Sequence, residues 1–315
     1  MIELKNTTKL YKDVIGVNDI CLNLQAGTYG LLGPNGSGKT TLINLILGQL
    51  KPTIGSVTLF GENPWKKSKL LRRIGLCPSV EINYPKATGL EWVTYMVQLH
   101  GFRFMEAEKK AKESLDFVGL SHAMNRPMRN YSLGMRQRAK IGQAIAHDPE
   151  LLILDEPFNG LDPIGRHEMS VFLKTWASQG KGLILASHIL HEVEAINPSF
   201  LLISGGRLLA SGSPAEVRNI LADTPYELTM RTSTPKQLAT LLIEHCEIES
   251  LKFTSKTEIL LSTRSAPQLF KVIPEIIHQH QISITAIRST DDSLNTLFSM
   301  LMKLHRGEIM QGGLS

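Results

Sequence analysis

Apolar residues in the first sixty positions fall into short runs that turn residues separate. Four of these runs, at residues 2–4, 20–24, 29–32 and 57–60, have the length and the turn boundaries of strands. After the third run, the apolar residues between positions 42 and 47 recur at helical spacing. The pattern predicts a β-rich segment that one helix interrupts.

Further along the chain the apolar spacing becomes helical. Leu90, Val93 and Val97 share one helical face, and the same period recurs in the next twenty residues. A third helix is predicted to begin after Ser132-Leu133-Gly134. We therefore expect a helical lobe at about residues 86–147, inserted between the strands of one domain.

Two fully apolar runs, at residues 151–154 and 183–186, have the composition of buried strands in a parallel sheet. Between them, Asp162 and Pro163 have the features of a helix start, with Asp as the capping residue and Pro at the first helical position. Together with the earlier runs, these strands predict an α/β fold.

The last third of the chain alternates strands and helices in a different order. The pattern is β-α-β-β-α-β followed by a helix, which is the ferredoxin-like order. We expect a small ferredoxin-like α+β domain at residues 223–305, after a first domain at residues 1–222, and a flexible tail at 306–315. The predicted strands lie at 226–232, 247–253, 258–261 and 282–287, and the predicted helices begin at 234, 266 and 293.

Composition limits the class of protein that this chain can be, but it does not identify a function. A chain of 315 residues suits about two domains, and a net charge of +5 is too small to indicate nucleic-acid binding. Three cysteines far apart in sequence favour a reduced interior over a disulfide framework. No apolar run reaches the roughly 20 residues of a membrane span, and the first residues lack a signal-peptide pattern.

The strongest chemical signal is a glycine-rich loop between the third strand and the first helix. Its glycines let successive backbone N–H groups point at phosphate oxygens, and the helix N-terminus adds partial positive charge. Lys39 is expected to reach the β- and γ-phosphates, and the Thr40 hydroxyl to ligate Mg²⁺. The predicted ATP-binding residues are Gly33, Pro34, Asn35, Gly36, Ser37, Gly38, Lys39, Thr40 and Thr41.

Two further strands end in groups that suit the same nucleotide. Asp155 follows one buried strand and would hold Mg²⁺, and Glu156 would orient and deprotonate the attacking water. His188 follows the next strand and could sense the γ-phosphate. Ligands bind beyond the carboxyl ends of strands in open α/β sheets, so these groups are expected to converge.

Several of these residues also allow a purely structural interpretation. Tyr11 could stack on adenine or simply pack in the β-rich segment. The acids at 155–156 could cap a helix, and His188 could be a structural histidine. A basic cluster at residues 62–73 could contact lipid headgroups or a partner, but a solvated helix face is the more common reason for such a run.

Taken together, these motifs resemble the ATP-binding subunits of ATP-binding cassette (ABC) transporters, over about the first 222 residues. The resemblance implies a P-loop NTPase cassette with a RecA-like core, an antiparallel β subdomain and a helical lobe. Tyr11 matches the family's adenine-stacking aromatic residue, and His188 matches its switch histidine. The cofactors implied are ATP and Mg²⁺.

A second set of residues resembles the family motifs that act between subunits. The sequence at 131–135, Tyr-Ser-Leu-Gly-Met, is similar to the family signature and keeps Ser132 and Gly134. Asp162 lies in a match to the D-loop. By resemblance, these residues contact an ATP molecule held by another subunit, which implies a dimer that encloses two ATP molecules.

One position departs from the family pattern. Where the family usually has a glutamine that reaches Mg²⁺ and the attacking water, this chain has Ser79. Serine is too short to make both contacts, so Ser79 is a candidate metal ligand that leaves the attacking water without this partner. Glu81 is a candidate substitute, although a carboxylate would repel the γ-phosphate. Slow ATP turnover is the corresponding hypothesis.

The sequence as a whole therefore predicts an enzyme, an ATPase that drives export through a separate multi-pass membrane permease. The expected partners are a second ATP-binding subunit, as a homodimer, and the permease, with no nucleic acid. The expected location is the cytoplasmic face of the membrane, as a peripheral protein. The alternatives are an importer subunit, or a soluble ABC ATPase that acts on a macromolecule such as the ribosome or DNA.

Overall fold

The computed structural model describes residues 1–80, 86–196, 199–213, 216 and 226–289. The chain divides into two compact units, Met1–Pro214 and Ala215–Ser315. The predicted domain boundary at 222, the predicted helix at 293, the tail and Glu81 all lie outside the described residues.

In the described part of the first unit, the strands form two sheets and alternate with helices. Its strands are β1 (Ile2–Tyr11), β2 (Val14–Leu24), β3 (Thr28–Leu32), β4 (Ile54–Leu59), β5 (Ile74–Cys77), β6 (Leu151–Asp155), β7 (Gly182–Ser187), β8 (Ser199–Ser204) and β9 (Arg207–Gly212). Its helices are α1 (Lys39–Ile46), α2 (Ser68–Leu71), α3 (Gly89–Leu99), α4 (Phe104–Phe117), α5 (Leu133–Ile145), α6 (Pro163–Ala177) and α7 (Leu190–Glu194).

An antiparallel sheet is formed from the first part of the chain, in the order β2-β1-β4. Both β1 and β2 are much longer than the apolar runs at 2–4 and 20–24 predict. Their extra residues include polar side chains that face solvent while the backbone stays paired, as where Lys9 lies opposite Val17. Reading strands from apolar runs alone therefore missed the hairpin that joins Tyr11 to Val14.

The larger sheet has the strand order β5-β6-β7-β3-β8-β9, with β9 antiparallel to β8 and the other pairs parallel. Residues 151–154 and 183–186 are buried throughout, as their apolar sequences predict. The register pairs Leu32 with Ser187, and Asp155 with Ala186. The ends of β3, β6 and β7 therefore lie side by side at one edge of the sheet, which is the convergence that the sequence predicts.

The helical lobe is built by α3, α4 and α5, with helix starts that local chemistry defines. The Thr88 hydroxyl accepts the Glu91 backbone N–H, and the Glu91 carboxylate accepts the Thr88 N–H, which forms a capping box for α3. Ser132 caps α5. Asp162 caps α6 by accepting the Gly165 N–H at 2.9 Å, with Pro163 in the first turn, which confirms the predicted helix start.

The second unit has one antiparallel sheet in the order β11-β12-β10-β13, and this strand order matches the ferredoxin-like topology. Leu228, Met230, Ile259 and Leu261 form the centre of its own apolar core. The second and fourth predicted strands lie two to three residues later than the apolar runs suggest, and the third begins as predicted but ends two residues later. The elements are β10 (Tyr226–Thr232), α8 (Pro235–His245), β11 (Ser250–Ser255), β12 (Glu258–Thr263), α9 (Ala266–His280) and β13 (Ile284–Ser289).

Candidate functional site

A cavity of about 450 Å³ lies at the edge of the large sheet where β3, β6 and β7 end. It brings together residues from the β1–β2 hairpin, the loop after β3, and the segments after β5, β6 and β7. Of the predicted site residues, those that line it are Tyr11, Asn35, Gly36, Ser37, Gly38, Lys39, Thr40, Thr41, Ser79, Asp155, Glu156 and His188.

The loop after β3 depends on glycine at its last position. Gly38 precedes α1 and has φ +106°, a conformation that side chains disfavour. A Cβ at Gly38 would also lie 2.4 Å from the carbonyl oxygen of Gly16. The chain can therefore turn into α1 at this point only without a side chain, and the first N–H groups of the helix lie at the cavity.

Lys39 is buried at the start of α1, and its ammonium is held by the loop itself. Nζ donates to the carbonyl oxygens of Gly33 at 2.6 Å and Pro34 at 3.2 Å. Burial lowers the pKa of Lys39, while the Glu156 and Asp155 carboxylates act in the opposite direction. Gly33 and Pro34 do not line the cavity among the described residues, and they contribute these carbonyls instead.

Three side chains whose oxygen atoms could ligate a metal, those of Thr40, Ser79 and Asp155, meet on one side of the cavity. The Thr40 hydroxyl donates to Asp155 Oδ2 at 3.3 Å, and the Ser79 hydroxyl donates to the same oxygen at 3.0 Å. Hydroxyl and carboxylate oxygens are the ligands that Mg²⁺ prefers. The residues present therefore fit Mg²⁺, with Ser79 beside the carboxylate.

Glu156 and His188 form a pair across the ends of β6 and β7. His188 Nδ1 lies 2.9 Å from both carboxylate oxygens of Glu156, and a proton on Nδ1 would be shared between them. The Glu156 backbone has φ +54° and its N–H donates to the carbonyl of Ala186. This turn directs the carboxylate into the cavity immediately after Asp155.

The hairpin between β1 and β2 forms a wall of the cavity beside the phosphate loop, where the Gly16 carbonyl lies close to Gly38. Tyr11 is 42% exposed and lines the cavity, with the Lys9 ammonium 5.5 Å from its ring centroid. A Cβ at Gly16 would lie 2.7 Å from the Tyr11 ring, so glycine at 16 makes room for the aromatic side chain. Val14, Ile15, Gly16 and Asn159 also line the cavity and are not among the predicted site residues. The hairpin that brings the first three to the cavity is defined by the pairing of Tyr11 with Val14, which only the folded structure shows.

Ser132, Gly134 and Asp162 do not line this cavity in the described part of the chain. Ser132 is exposed at the start of α5, where its hydroxyl accepts the Met135 N–H. A Cβ at Gly134 would lie 3.2 Å from the Gly160 carbonyl oxygen, so the signature segment lies against the D-loop segment of the same chain. The two segments form a second group of predicted residues, separate from the first.

A glycine-rich phosphate loop on a buried parallel sheet, with two carboxylates and a histidine on neighbouring strands, defines a P-loop ATPase. A comparison with protein families matches residues 17–159 to the ABC transporter family. The chain belongs to the ATP-binding proteins of ABC transporters, and it is an ABC ATPase that binds ATP. No helix in the part of the chain described has the length and apolarity to cross a membrane.

Individual relatives extend this result along the whole chain. The bacitracin transport ATP-binding protein BcrA of Bacillus licheniformis is 32% identical over 305 residues, which are 96% of this chain and 97% of that protein. The linearmycin resistance ATP-binding protein LnrL of Bacillus subtilis (strain 168) is 30% identical over 306 residues, covering 95% and 97% of the two chains. A dimeric, post-hydrolysis ATP-binding cassette bound to ADP and Pi is similar in structure, with a TM-score of 0.63 and 25% identity, over 68% of this chain and 98% of that one.

Proposed function

We propose that this chain is the ATP-binding subunit of an ABC exporter, which dimerises around two ATP molecules and couples Mg²⁺-dependent hydrolysis to a separate membrane permease. The observation that carries the proposal is the convergence of Lys39, Thr40, Asp155, Glu156 and His188 on one cavity.

Each of these residues has a role that its contacts support. When ATP binds, the Lys39 ammonium would leave the loop carbonyl groups and bond to the β- and γ-phosphates. The backbone N–H groups of the loop would donate to the other phosphate oxygens. Thr40 and Asp155 hold the metal, with Ser79 beside them. When bound, Mg²⁺ supplies positive charge that offsets the negative charge on the phosphates.

Hydrolysis requires a general base for the attacking water, and a second group that fixes the orientation of that base. Glu156 takes a proton from the attacking water, and its carboxylate is partly buried, at 11% side-chain exposure. His188 holds that carboxylate and lies at the end of the neighbouring strand, where the γ-phosphate would be. Tyr11 stacks on the adenine ring.

The dimer is supported by the position of the second group of residues. Ser132 and Gly134 begin a helix and lie outside the cavity of their own chain, where a hydroxyl and free N–H groups make an anion site. Asp162 belongs to the same group. We propose that these residues act on an ATP molecule held by an identical second copy, as the dimeric relative suggests.

Export is the direction that the full-length relatives favour. Two of the relatives that match about 96% of the chain are ATP-binding proteins with transport or resistance names, for bacitracin and linearmycin, and a third of similar coverage is an uncharacterized ABC transporter ATP-binding protein. The permease, which is expected to select the substrate, would keep this chain at the cytoplasmic face of the membrane. An importer subunit and a soluble ABC ATPase that acts on a macromolecule remain the alternatives.

Glu156→Gln tests the catalytic assignment. The variant should bind ATP, hydrolyse it about 100-fold or more slowly, and accumulate as a dimer with ATP, because the base is lost while the binding groups remain. Phosphate release and light scattering after gel filtration measure the two effects. Full activity in Glu156→Gln would remove this residue from the catalytic role.

The partner is tested by copurification from native membranes. A multi-pass membrane protein recovered with the tagged chain supports transport. Recovery of ribosomal RNA or DNA in its place favours the soluble alternative.

A further inference from the structure

Helix α5 presents two buried polar side chains to the segments that follow β5 and β6. Gln137 Nε2 donates to the carbonyl of Pro157, directly after Glu156, at 3.0 Å. Lys140, one turn further on, is 5% exposed and lies against the segment that carries Ser79. Residues three apart share a helix face, so one face of α5 supports both segments.

The Lys140 ammonium bonds to the backbone on both sides of Ser79. Nζ donates to the carbonyl oxygen of Pro78 at 2.9 Å and to that of Val80 at 3.2 Å. A buried ammonium without acceptors costs several kcal/mol, and two carbonyl groups offset part of that cost. Because both carbonyls are drawn to one atom, the backbone of Ser79 is fixed between them.

Fixing this backbone determines where the Ser79 hydroxyl lies. The side chain has a single rotatable bond before its oxygen, so it reaches Asp155 Oδ2, 3.0 Å away, only if the backbone is correctly placed. A longer side chain could adjust to a displaced backbone by changing its rotamers. Ser79 has no such freedom, so its contact with Asp155 depends on the backbone that Lys140 holds at Pro78 and Val80.

We propose that Lys140 is a positioning residue for the metal side of the ATP site, acting through Ser79 on Asp155. The proposal rests on the proposed Mg²⁺–ATP site and assigns a role to a residue in the middle of α5. Since Ser132 caps the same helix, Lys140 also links the signature segment to the metal ligands of its own chain.

The test compares ATP affinity in Mg²⁺ and in EDTA, by calorimetric titration of the full chain with ATP. The variants are Lys140→Met, which removes the ammonium at similar size, Lys140→Arg, which retains a cationic donor, and Ser79→Ala. Lys109→Met is the matched control, because Lys109 is exposed on α4 with 77% of its side chain accessible.

We expect Mg²⁺ to tighten ATP binding in the native protein and in Lys109→Met. Lys140→Met should lose about tenfold of this enhancement, as for other groups that position metal ligands, with its affinity in EDTA unchanged. Lys140→Arg should recover part of the enhancement. In a Ser79→Ala background, Lys140→Met should have little further effect, because both act through the same hydroxyl.

Distinct results would overturn the proposal. Lys140→Met with the native enhancement, or with an equal loss in Mg²⁺ and EDTA and an unchanged ratio, would exclude positioning of the metal side. If Lys140→Met does not fold, Ser79→Ala decides instead, since a native enhancement in that variant would remove the group through which Lys140 acts. A native protein that binds no ATP in either buffer would contradict the proposed function itself.

Discussion

Two features of the backbone require glycine at position 38 of the phosphate loop: its positive φ and its close approach to Gly16. Its φ of +106° costs energy for any side chain, and a Cβ would meet the Gly16 carbonyl at 2.4 Å. Gly38→Ala should therefore shift the loop and lower ATP affinity by about tenfold or more, since a misplacement of about 1 Å can cost about a hundredfold. Calorimetric titration with ATP measures the loss.

Gly180→Ala separates the two constraints. Gly180 has φ +72°, but a Cβ there would have no atom within 4 Å. We expect a loss of about 1–2 kcal/mol in the free energy of unfolding with native ATP affinity. Equal effects of the two variants on ATP binding would show that the close approach to Gly16 is unimportant.

Because Ser79 stands where the family usually has a glutamine, we predict a slow ATPase rate that a longer side chain can raise. Its hydroxyl reaches Asp155, but one oxygen cannot also hold the attacking water. Ser79→Gln should raise the ATPase rate by about tenfold, because a longer side chain can orient the water as well. Steady-state phosphate release at saturating ATP is the measurement. Ser79→Ala is the control, and an unchanged rate in Ser79→Gln would contradict the slow-turnover hypothesis.

The residues of the site differ in how far the sequence could identify them. Lys39 and Thr40 belong to a motif of eight consecutive residues, so the sequence alone predicts that both lie at the phosphate site. The contact of Ser79 with Asp155 joins residues 76 apart, and that of Lys140 with Pro78 joins residues 62 apart. Neither contact leaves a local pattern, because α5 is brought to β5 and β6 only by the packing of the helical lobe.

At the scale of elements, two histidines join the ends of α3 and α5. His100 and His147 stack with ring centroids 3.7 Å apart, and His147 Nε2 donates to the carbonyl of Ile74 at the start of β5. Burial, and then the neighbouring His100, lowers the pKa of His147 from 6.5 to about 4. Nδ1 has no hydrogen-bond partner among the described residues, so a proton added there would find no acceptor.

This pKa makes the first unit sensitive to acid. His147 stays neutral when folded, while the unfolded chain takes up a proton below pH 6.5, so stability is lost as the pH falls from 6.5 towards 4. The contribution amounts to roughly 2 kcal/mol by pH 5. His100 and Lys110 oppose the His147 imidazolium, whereas the Ile74 carbonyl and Asp148 favour it.

Urea unfolding at pH 7.5 and pH 5.0 tests this contribution. All three tryptophans (Trp65, Trp92 and Trp176) lie in the first unit, so their fluorescence follows that unit. His147→Gln should flatten the pH dependence by about 2 kcal/mol, whereas the exposed His122→Gln should keep the native dependence. An unchanged slope in His147→Gln would assign the acid sensitivity to other groups.

The elements show where apolar patterns suffice and where they fail. The buried strands β6 and β7 are apolar at nearly every position because both sheet faces are covered, so their sequences identify them. The strands β1 and β2 alternate buried and exposed residues, and register shifts interrupt the alternation. The apolar runs therefore marked only the ends of this hairpin, and three cavity residues on it, Val14, Ile15 and Gly16, were missed.

At the scale of the whole molecule, each unit has an apolar core formed by its own residues. The core of the second unit contains Leu228, Met230 and Leu261 together with residues of α8 and α9. The core of the first unit lies between its two sheets and α1. Since the described residues of each core belong to a single unit, we expect the two units to unfold as separate cooperative transitions.

A pair of matched core substitutions tests this independence. Leu261 and Leu185 are both fully buried, in the second and first units respectively. Replacing either by Ala should cost about 2–5 kcal/mol. Leu185→Ala should lower the unfolding midpoint seen by tryptophan fluorescence. Leu261→Ala should leave that midpoint and the ATP affinity unchanged while lowering a separate calorimetric transition, because no tryptophan and none of the described residues of the ATP cavity lies in its unit. If Leu261→Ala lowers the tryptophan midpoint as far as Leu185→Ala does, the chain unfolds as one cooperative body.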